Sequence, residues 1–284
     1  MSFQDTIAPP ADTADPGQWH TVARHWAQVG PPLRPSRRDV QFATTAVLDW
    51  SRAHGAPRAL IQGVTPELHD LPWPEGTDLV AIDHTQAMID HVWPGRPEQA
   101  ICAEWTDMPL DDASRDIVLC DGGDILMSYP DAHRAWAREM TRVIPPDGIA
   151  ILRLFAPPTR QEDPDEVMAE FLRGEIANLN LLKLRLGMAM QDSLAAGTPI
   201  HDMWAAVHAA EPDFDKLARR VGWPVEHLRA IEAYRGRPAR YHYLSVPDVE
   251  ALFCDTAGAF TLESLQWPDY ELGDRCPTLM LRRR

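Results

Sequence analysis

Two residues about twenty positions apart, Gly63 and Asp83, have the types and spacing to hold a nucleotide-like ligand. The stretch ALIQGVTPEL, residues 59–68, runs from apolar Ala59, Leu60 and Ile61 into Gly63 and then into Thr65, Pro66 and Glu67. A buried strand that turns at a glycine into a helix is where an α/β protein brings backbone close to such a ligand. Asp83 ends a second apolar run, DLVAID. An acid there either accepts both ribose hydroxyls or caps the helix that begins at His84 and Thr85. The turn holds one glycine where dinucleotide fingerprints hold more. Thr65 suits an N-cap, Pro66 the first helical position and Glu67 the first turn, so the loop can be tight without further glycines.

These residues need a scaffold, and the chain supplies one from residue 58 onward. RALIQG, DLVAID, QAICAEW, RDIVLCDG and IAILRLF read as strands, with HTQAMIDHVW and YPDAHRAWAREMTRVI as helices between them. Strands alternating with helices predict a parallel sheet covered on both faces, and the short continuous apolar runs fit doubly buried strands. Upstream, Ser36 is expected to cap the helix DVQFATTAVLDWSRAHG, and Trp19, Val22, Trp26 and Val29 share one side of a preceding helix. Residues 1 to about 18, rich in Pro, Asp, Ala and Thr, are expected to be loosely draped.

After APPTRQEDPDE the pattern changes. EVMAEFLRGEIANLNLLKLRLGMAMQDSL reads as one long helical stretch with Leu179, Leu182, Leu186 and Met190 at helical spacing, a stripe read as core or lid packing. HDMWAAVHAAE, FDKLARRVG and PVEHLRAIEAYRG follow as shorter helices. VPDVEALFCDTAG is a further helix, and FTLESLQW and CPTLMLRR form a terminal antiparallel hairpin on the sheet edge.

Composition narrows the function classes. The 284 residues carry 27 basic and 42 acidic side chains, a formal net charge of -15 that disfavours nucleic acid and anionic membranes as partners. The 4 cysteines include no C-x-x-C pair, so neither a zinc site nor a redox motif is expected. There is no G-x-S-x-G elbow, P-loop lysine or H-E-x-x-H. The first twenty residues have no basic start or apolar run, so neither a signal peptide nor a membrane span is expected and the chain reads as cytoplasmic.

The third strand leads into CAEWTDMPLDDASRDIVLCDGG, and here the chain resembles the class I S-adenosylmethionine-dependent methyltransferases. The residues that carry the resemblance are Gly63, Asp83, Glu104 with Met108-Pro109-Leu110, Asp112-Ala113-Ser114-Arg115-Asp116 and the strand IVLCDGG. VIPPDGIAILRLF resembles the family's turn before strand five, and ELGDRCPTLMLRR its closing strand. The resemblance implies a Rossmann-like, doubly wound, mostly parallel seven-stranded sheet with a C-terminal antiparallel hairpin and a helical insertion after strand five. The expected organisation is an N-terminal segment over 1–40 that covers the cofactor, a core over 41–156, an insertion over 157–240 acting as substrate lid, and the last strands over 241–284.

The resemblance also implies roles. Gly63, Val64 and Thr65 would lie under the methionine part of S-adenosylmethionine, and Asp83 would bind the ribose. Met88 or His84 would pack near the adenine, flanked by Glu104 and Trp105. Asp121 and Gly122 would face the sulfonium and substrate, with Asp121 as candidate base. The chain departs from the family where Ile61 replaces an acid and Thr65 and Glu67 replace glycines. Glu67 would then either hold the cofactor's ammonium or only face the helix dipole, and Arg34 would either clamp its carboxylate or stay on the surface. Tyr129, His133, His201, His208, Tyr241 and His242 could act as base or orient a substrate, or be structural. The expected function is methyl transfer to a small molecule, with S-adenosylhomocysteine as product and a homodimer as the oligomer allowed for. A non-catalytic binding protein of the same fold is the alternative; a nicotinamide oxidoreductase lacks its G-x-G-x-x-G.

Overall fold

A computed structural model describes residues 16–256 and 258–284. The stretch expected to be loosely draped falls outside the described residues up to residue 15; helix α1 (Pro16–Arg24) begins at its end. Helix α2 (Arg37–His54) starts where the sequence places it, because Ser36 and Asp39 cap it reciprocally. Ser36 Oγ accepts from the backbone of Arg38 and Asp39, and the Asp39 carboxylate accepts from Ser36 N at 2.7 Å. Ser36→Ala should cost about 1 kcal/mol in urea unfolding, with an unchanged denaturant slope.

The alternating region forms β1 (Arg58–Gln62), α3 (Pro66–His69), β2 (Asp78–Asp83), α4 (Gln86–Val92), β3 (Ala100–Cys102), β4 (Ile117–Asp121), α5 (Asp131–Val143) and β5 (Ile149–Arg153). The strand expected over QAICAEW is shorter than its apolar pattern, because it pairs only at Ala100–Cys102. The chain ends in β8 (Phe260–Gln266) and β9 (Thr278–Arg283). Together these strands form one sheet of seven in the order β3-β2-β1-β4-β5-β9-β8. The first five run parallel, and β9 is antiparallel to both of its neighbours.

Side chains alternate between the two faces, as a pleated strand requires. Leu60, Ile82, Val118, Cys120 and Leu152 pack against Trp136 and Met140 of α5 and against Phe253 and Phe260. Ala59, Ile61, Ala81, Leu119 and Ile151 pack against α2 through Ala43, Val47 and Trp50, and against α4 through Met88, Ile89 and Val92. From β1 the chain builds outward through β2 to β3, then returns to lay β4 and β5 on the other side. The connections therefore diverge above the carboxyl ends of β1 and β4, and a crevice opens there.

Between β5 and β8 lie α6 (Pro164–Leu172), α7 (Leu179–Ala189), β6 (Thr198–Pro199), α8 (Ile200–Ala210), α9 (Phe214–Val221), α10 (Val225–Arg229), β7 (Arg240–Tyr241) and α11 (Val246–Glu250). The single long helical stretch expected after residue 166 is broken in two. Gly174 takes a left-handed φ of +75° after α6, and Asn178 restarts the chain by capping α7 through Oδ1. A left-handed glycine followed by an Asn cap overrides the continuous leucine spacing. Leu179, Leu182 and Leu186 of the stripe pack in the insertion's own core with Phe171, Met203 and Leu217. The two-residue pair β6–β7 is too short to leave a sequence period.

Candidate functional site

The crevice above β1 and β4 is a cleft with about 1010 Å³ of empty space including its open mouth. Its floor is the turn after β1. Gly63 has φ +90°, a conformation that L side chains rarely adopt, and its N–H donates to the Ile82 carbonyl at 2.7 Å. Val64 and Thr65 line the cleft beside it. Thr65 holds the N-cap position of α3 and Pro66 the first helical one, but the Thr65 side chain makes no capping hydrogen bond.

Asp83 ends β2 at the cleft wall and is 7% exposed. One of its oxygens accepts from Thr85 N at 2.8 Å. Burial pushes its carboxyl above the usual carboxylate range and pushes the neighbouring His84 below the usual imidazole range. His84 Nε2 and Thr85 Oγ1 are buried with no hydrogen-bond partner. Met88 and Trp105 complete this end, and Trp105 Nε1 donates to the Ile82 carbonyl at 2.8 Å. The Trp19 ring meets His84 edge-on at 6.4 Å, so α1 covers the Asp83 end. Glu104 is exposed and is not among the lining residues.

At the other end Gly122 and Gly123 let aromatic rings approach the backbone. A Cβ on Gly122, whose φ is +61°, would lie 2.2 Å from Phe155, and one on Gly123 would lie 2.3 Å from Trp105. Asp121 lines the cleft but is engaged by Arg153, its cross-strand neighbour at the end of β5. The two side chains are 6% and 4% exposed, and Arg153 Nη1 also donates to the Pro32 carbonyl at 2.9 Å. Burial pushes the Asp121 carboxyl above its ordinary range, and the Arg153 guanidinium pulls against that shift. The ion pair with Arg153 occupies the carboxylate that the sequence offered as a candidate base.

Glu67 and Arg34, for each of which the sequence left a cofactor role and a purely local one open, meet each other at 2.5 Å. Arg34 also lies over the Trp26 ring at 5.1 Å. Neither residue lines the cleft, although Glu67 Oε2 and Arg34 Nε remain buried without partners. Of the six tyrosine and histidine candidates, Tyr241 lines the cleft and the other five do not. Buried His133 contacts the carbonyls of Asp124 and Ser128, and desolvation pushes its pKa down to about 4. His242 contacts the Leu194 carbonyl at 2.8 Å, His201 the Gly236 N–H at 3.0 Å, and His208 stacks on Trp204. Tyr129 packs beside His133.

The structure adds lining residues that sequence reasoning missed: Gln62, Phe155, Asn180, Lys183 and Tyr234. One signal was available. Asn180 and Lys183 are three apart in the otherwise leucine-rich α7, and residues so spaced share a helix face.

Residues 47–152 match a family model described as a methyltransferase domain. No curated protein matches the chain. Among solved structures, one from Rhodobacter sphaeroides, described as a putative zinc-dependent alcohol dehydrogenase, is 16% identical with a TM-score of 0.57 and covers 97% of this chain and 100% of its own. The 1,6-didemethyltoxoflavin-N1-methyltransferase of Burkholderia thailandensis, solved with 1,6-didemethyltoxoflavin and S-adenosylhomocysteine, is 11% identical with a TM-score of 0.51, covering 100% and 98%. The N-methyltransferase NodS of Bradyrhizobium japonicum, solved with S-adenosylhomocysteine, is 11% identical with a TM-score of 0.50, covering 94% and 98%. At these identities the likenesses establish the fold. Among the described residues no cluster of three or more His, Cys, Asp or Glu could hold a metal ion. The family match makes residues 47–152 similar to a methyltransferase domain, and the structural likenesses extend the fold over the rest of the chain.

Proposed function

We propose that the protein transfers a methyl group from S-adenosylmethionine to a small-molecule acceptor bound between the sheet and the insertion. The observation that carries this reading is the Asp83 end of the cleft. A buried carboxylate stands there beside the unmatched Nε2 of His84, and both residues line the cleft. Buried polar groups without partners are costly, and a ribose and purine edge would satisfy them. Asp83 would hold the ribose, Met88, His84 and Trp105 would border the adenine, and Gly63, Val64 and Thr65 would lie beneath the methionine part.

Bound S-adenosylmethionine supplies a methyl group activated by its sulfonium. The chain's own task is alignment and exclusion of water, and placement alone can be worth on the order of 7–11 kcal/mol of barrier. Trp26, Leu33, Ile125, Leu126 and Phe155 give the cleft dry walls that suit a small, partly apolar acceptor. The net charge of -15 supports an acceptor other than nucleic acid.

A second reading, a non-catalytic binding protein of the same fold, is favoured by the Arg34–Glu67 pair, which commits both loop charges to each other. Calorimetric titration with S-adenosylhomocysteine separates the two. Micromolar binding is expected, and a folded protein that takes up no heat from either S-adenosylhomocysteine or S-adenosylmethionine would support the second reading.

A further inference from the structure

Lys183 is the cleft residue for which the cofactor has no use. It lies on α7, whose other cation, Arg185, is paired with both Glu162 and Glu170 at 2.6 Å. No carboxylate among the described residues lies within ion-pair distance of Lys183. Its Nζ instead sits 4.6 Å from the centre of the Tyr234 ring. Burial pushes its pKa down to about 8. An ammonium over an aromatic face is attracted to it, but its charge is not neutralised.

The position is as informative as the missing partner. Lys183 and Asn180 line both the cleft above the sheet and an adjoining hollow between α1, α7 and α10. They stand where a molecule entering from the hollow would meet the end of the cofactor cleft. The charged groups of the hollow do not compensate Lys183. Arg229 is committed to Asp215 at 2.9 Å, and Glu232 accepts from Trp204 Nε1 at 2.9 Å. Glu226 is exposed at the rim, and His25 bonds the Thr21 carbonyl. On the cleft side Tyr234 and Tyr241 share a hydroxyl contact of 3.3 Å, and burial holds the Tyr234 phenol well above its ordinary range. Lys183 is therefore the charged residue that lines both cavities at this junction.

We propose that Lys183 is the acceptor-binding residue, and that the acceptor is a phenol or enol whose acidic oxygen Lys183 holds as the oxyanion. The proposal rests on the methyltransferase reading above. An acceptor oxygen that ionises neutralises the ammonium Lys183 becomes on taking its proton, whereas a neutral amine acceptor leaves that ammonium uncompensated. The aromatic and aliphatic walls then accommodate a flat apolar ring. Neutral Lys183 Nζ takes the proton of the acceptor hydroxyl and becomes an ammonium. The oxygen keeps the bonding pair and forms a bond to the methyl carbon. The carbon–sulfur bond breaks with its pair remaining on sulfur, leaving S-adenosylhomocysteine, and the ammonium returns its proton to water.

The test uses 4-nitrophenol as probe, because its ionised form has its own visible absorption band. The full-length protein is titrated with it, with and without saturating S-adenosylhomocysteine, at a pH where the free probe is mostly protonated. The expected result is growth of the phenolate band on binding. Lys183→Met should lose that band and weaken binding by at least about tenfold. Lys183→Arg, which keeps the cation, should retain the band. S-adenosylhomocysteine binding should stay within about threefold in both variants, since Lys183 is assigned to the acceptor alone. Binding without ionisation, a band unchanged in Lys183→Met, or no binding at millimolar probe would overturn the proposal. So would benzoate binding tenfold more tightly than the phenol. A wild-type protein that ionises the probe yet ignores S-adenosylhomocysteine would refute the methyltransferase reading and leave the Lys183 assignment standing.

Discussion

Asp83→Asn should weaken S-adenosylhomocysteine binding by roughly a hundredfold while leaving the fold intact. In the proposed function the carboxylate would accept from two ribose hydroxyls, and hydrogen bonds to a charged acceptor are worth about 1.5–3 kcal/mol each. Losing about 3 kcal/mol of that total corresponds to the stated factor. Asparagine keeps the volume and the oxygen that accepts from Thr85 N at 2.8 Å, so the local backbone is undisturbed. The stability expectation follows from the sign of the pKa shift. Burial raises Asp83 above its unfolded value, so ionising it opposes folding as pH rises through the folded value. At neutral pH the neutral amide removes that penalty, and the ligand-free variant should melt no lower than wild type. Ligand affinity should fall with acid while pH is still above the ordinary aspartate range. Calorimetry and thermal melts at several pH values check all three expectations. A variant that binds as tightly as wild type would remove Asp83 from the site.

Arg153→Met should be the most destabilising of these changes, by about 3–5 kcal/mol in urea unfolding. It strips the partner from Asp121, which is 6% exposed. It also frees the Pro32 carbonyl that Arg153 holds at 2.9 Å. The informative measurement is the double variant Asp121→Leu with Arg153→Met. If the cost comes from an uncompensated buried charge, the double variant should recover most of the stability. If it unfolds as easily as Arg153→Met, the loss comes from the guanidinium's packing against Phe155 and its hold on the Pro32 segment. Either outcome bears on Asp121, because a residue that can be replaced without loss of cofactor affinity is an anchor and not a participant.

The parts of the molecule that were legible in the sequence are those where one local rule dominates. β1, β2, β4 and β5 show as short apolar runs because both of their faces are buried. Gly63 and Asp83 show because a tight turn and a strand-end acid are local features. What stayed hidden depends on pairs far apart in the chain. Arg34 and Glu67 come from a loop and a one-turn helix, and neither position names the other as partner. Arg153 in ILRLF could have been a warning, since an arginine in a buried strand needs an acid, and the strand beside it ends in Asp121. Lys183 was masked because its neighbours spell an ordinary leucine-rich helix.

The ends of the insertion carry a consequence for how such a protein can change. As the chain leaves β5, Leu154 and Ala156 bond to the backbone at Pro277 and Arg275, and Glu162 ion-pairs with Arg275. As it returns, His242 N donates to the Ile125 carbonyl, and the Gln191 side chain both donates to and accepts from the backbone of Tyr243. Departure and return are thus fastened separately, and the helices between them share one apolar core that also takes in Ile125, Phe155 and Cys276. Such a segment behaves as a cassette. Substitutions on its cleft-facing side, at Asn180, Lys183 and Tyr234, would alter that end of the cleft while leaving the Gly63 turn and Asp83 untouched.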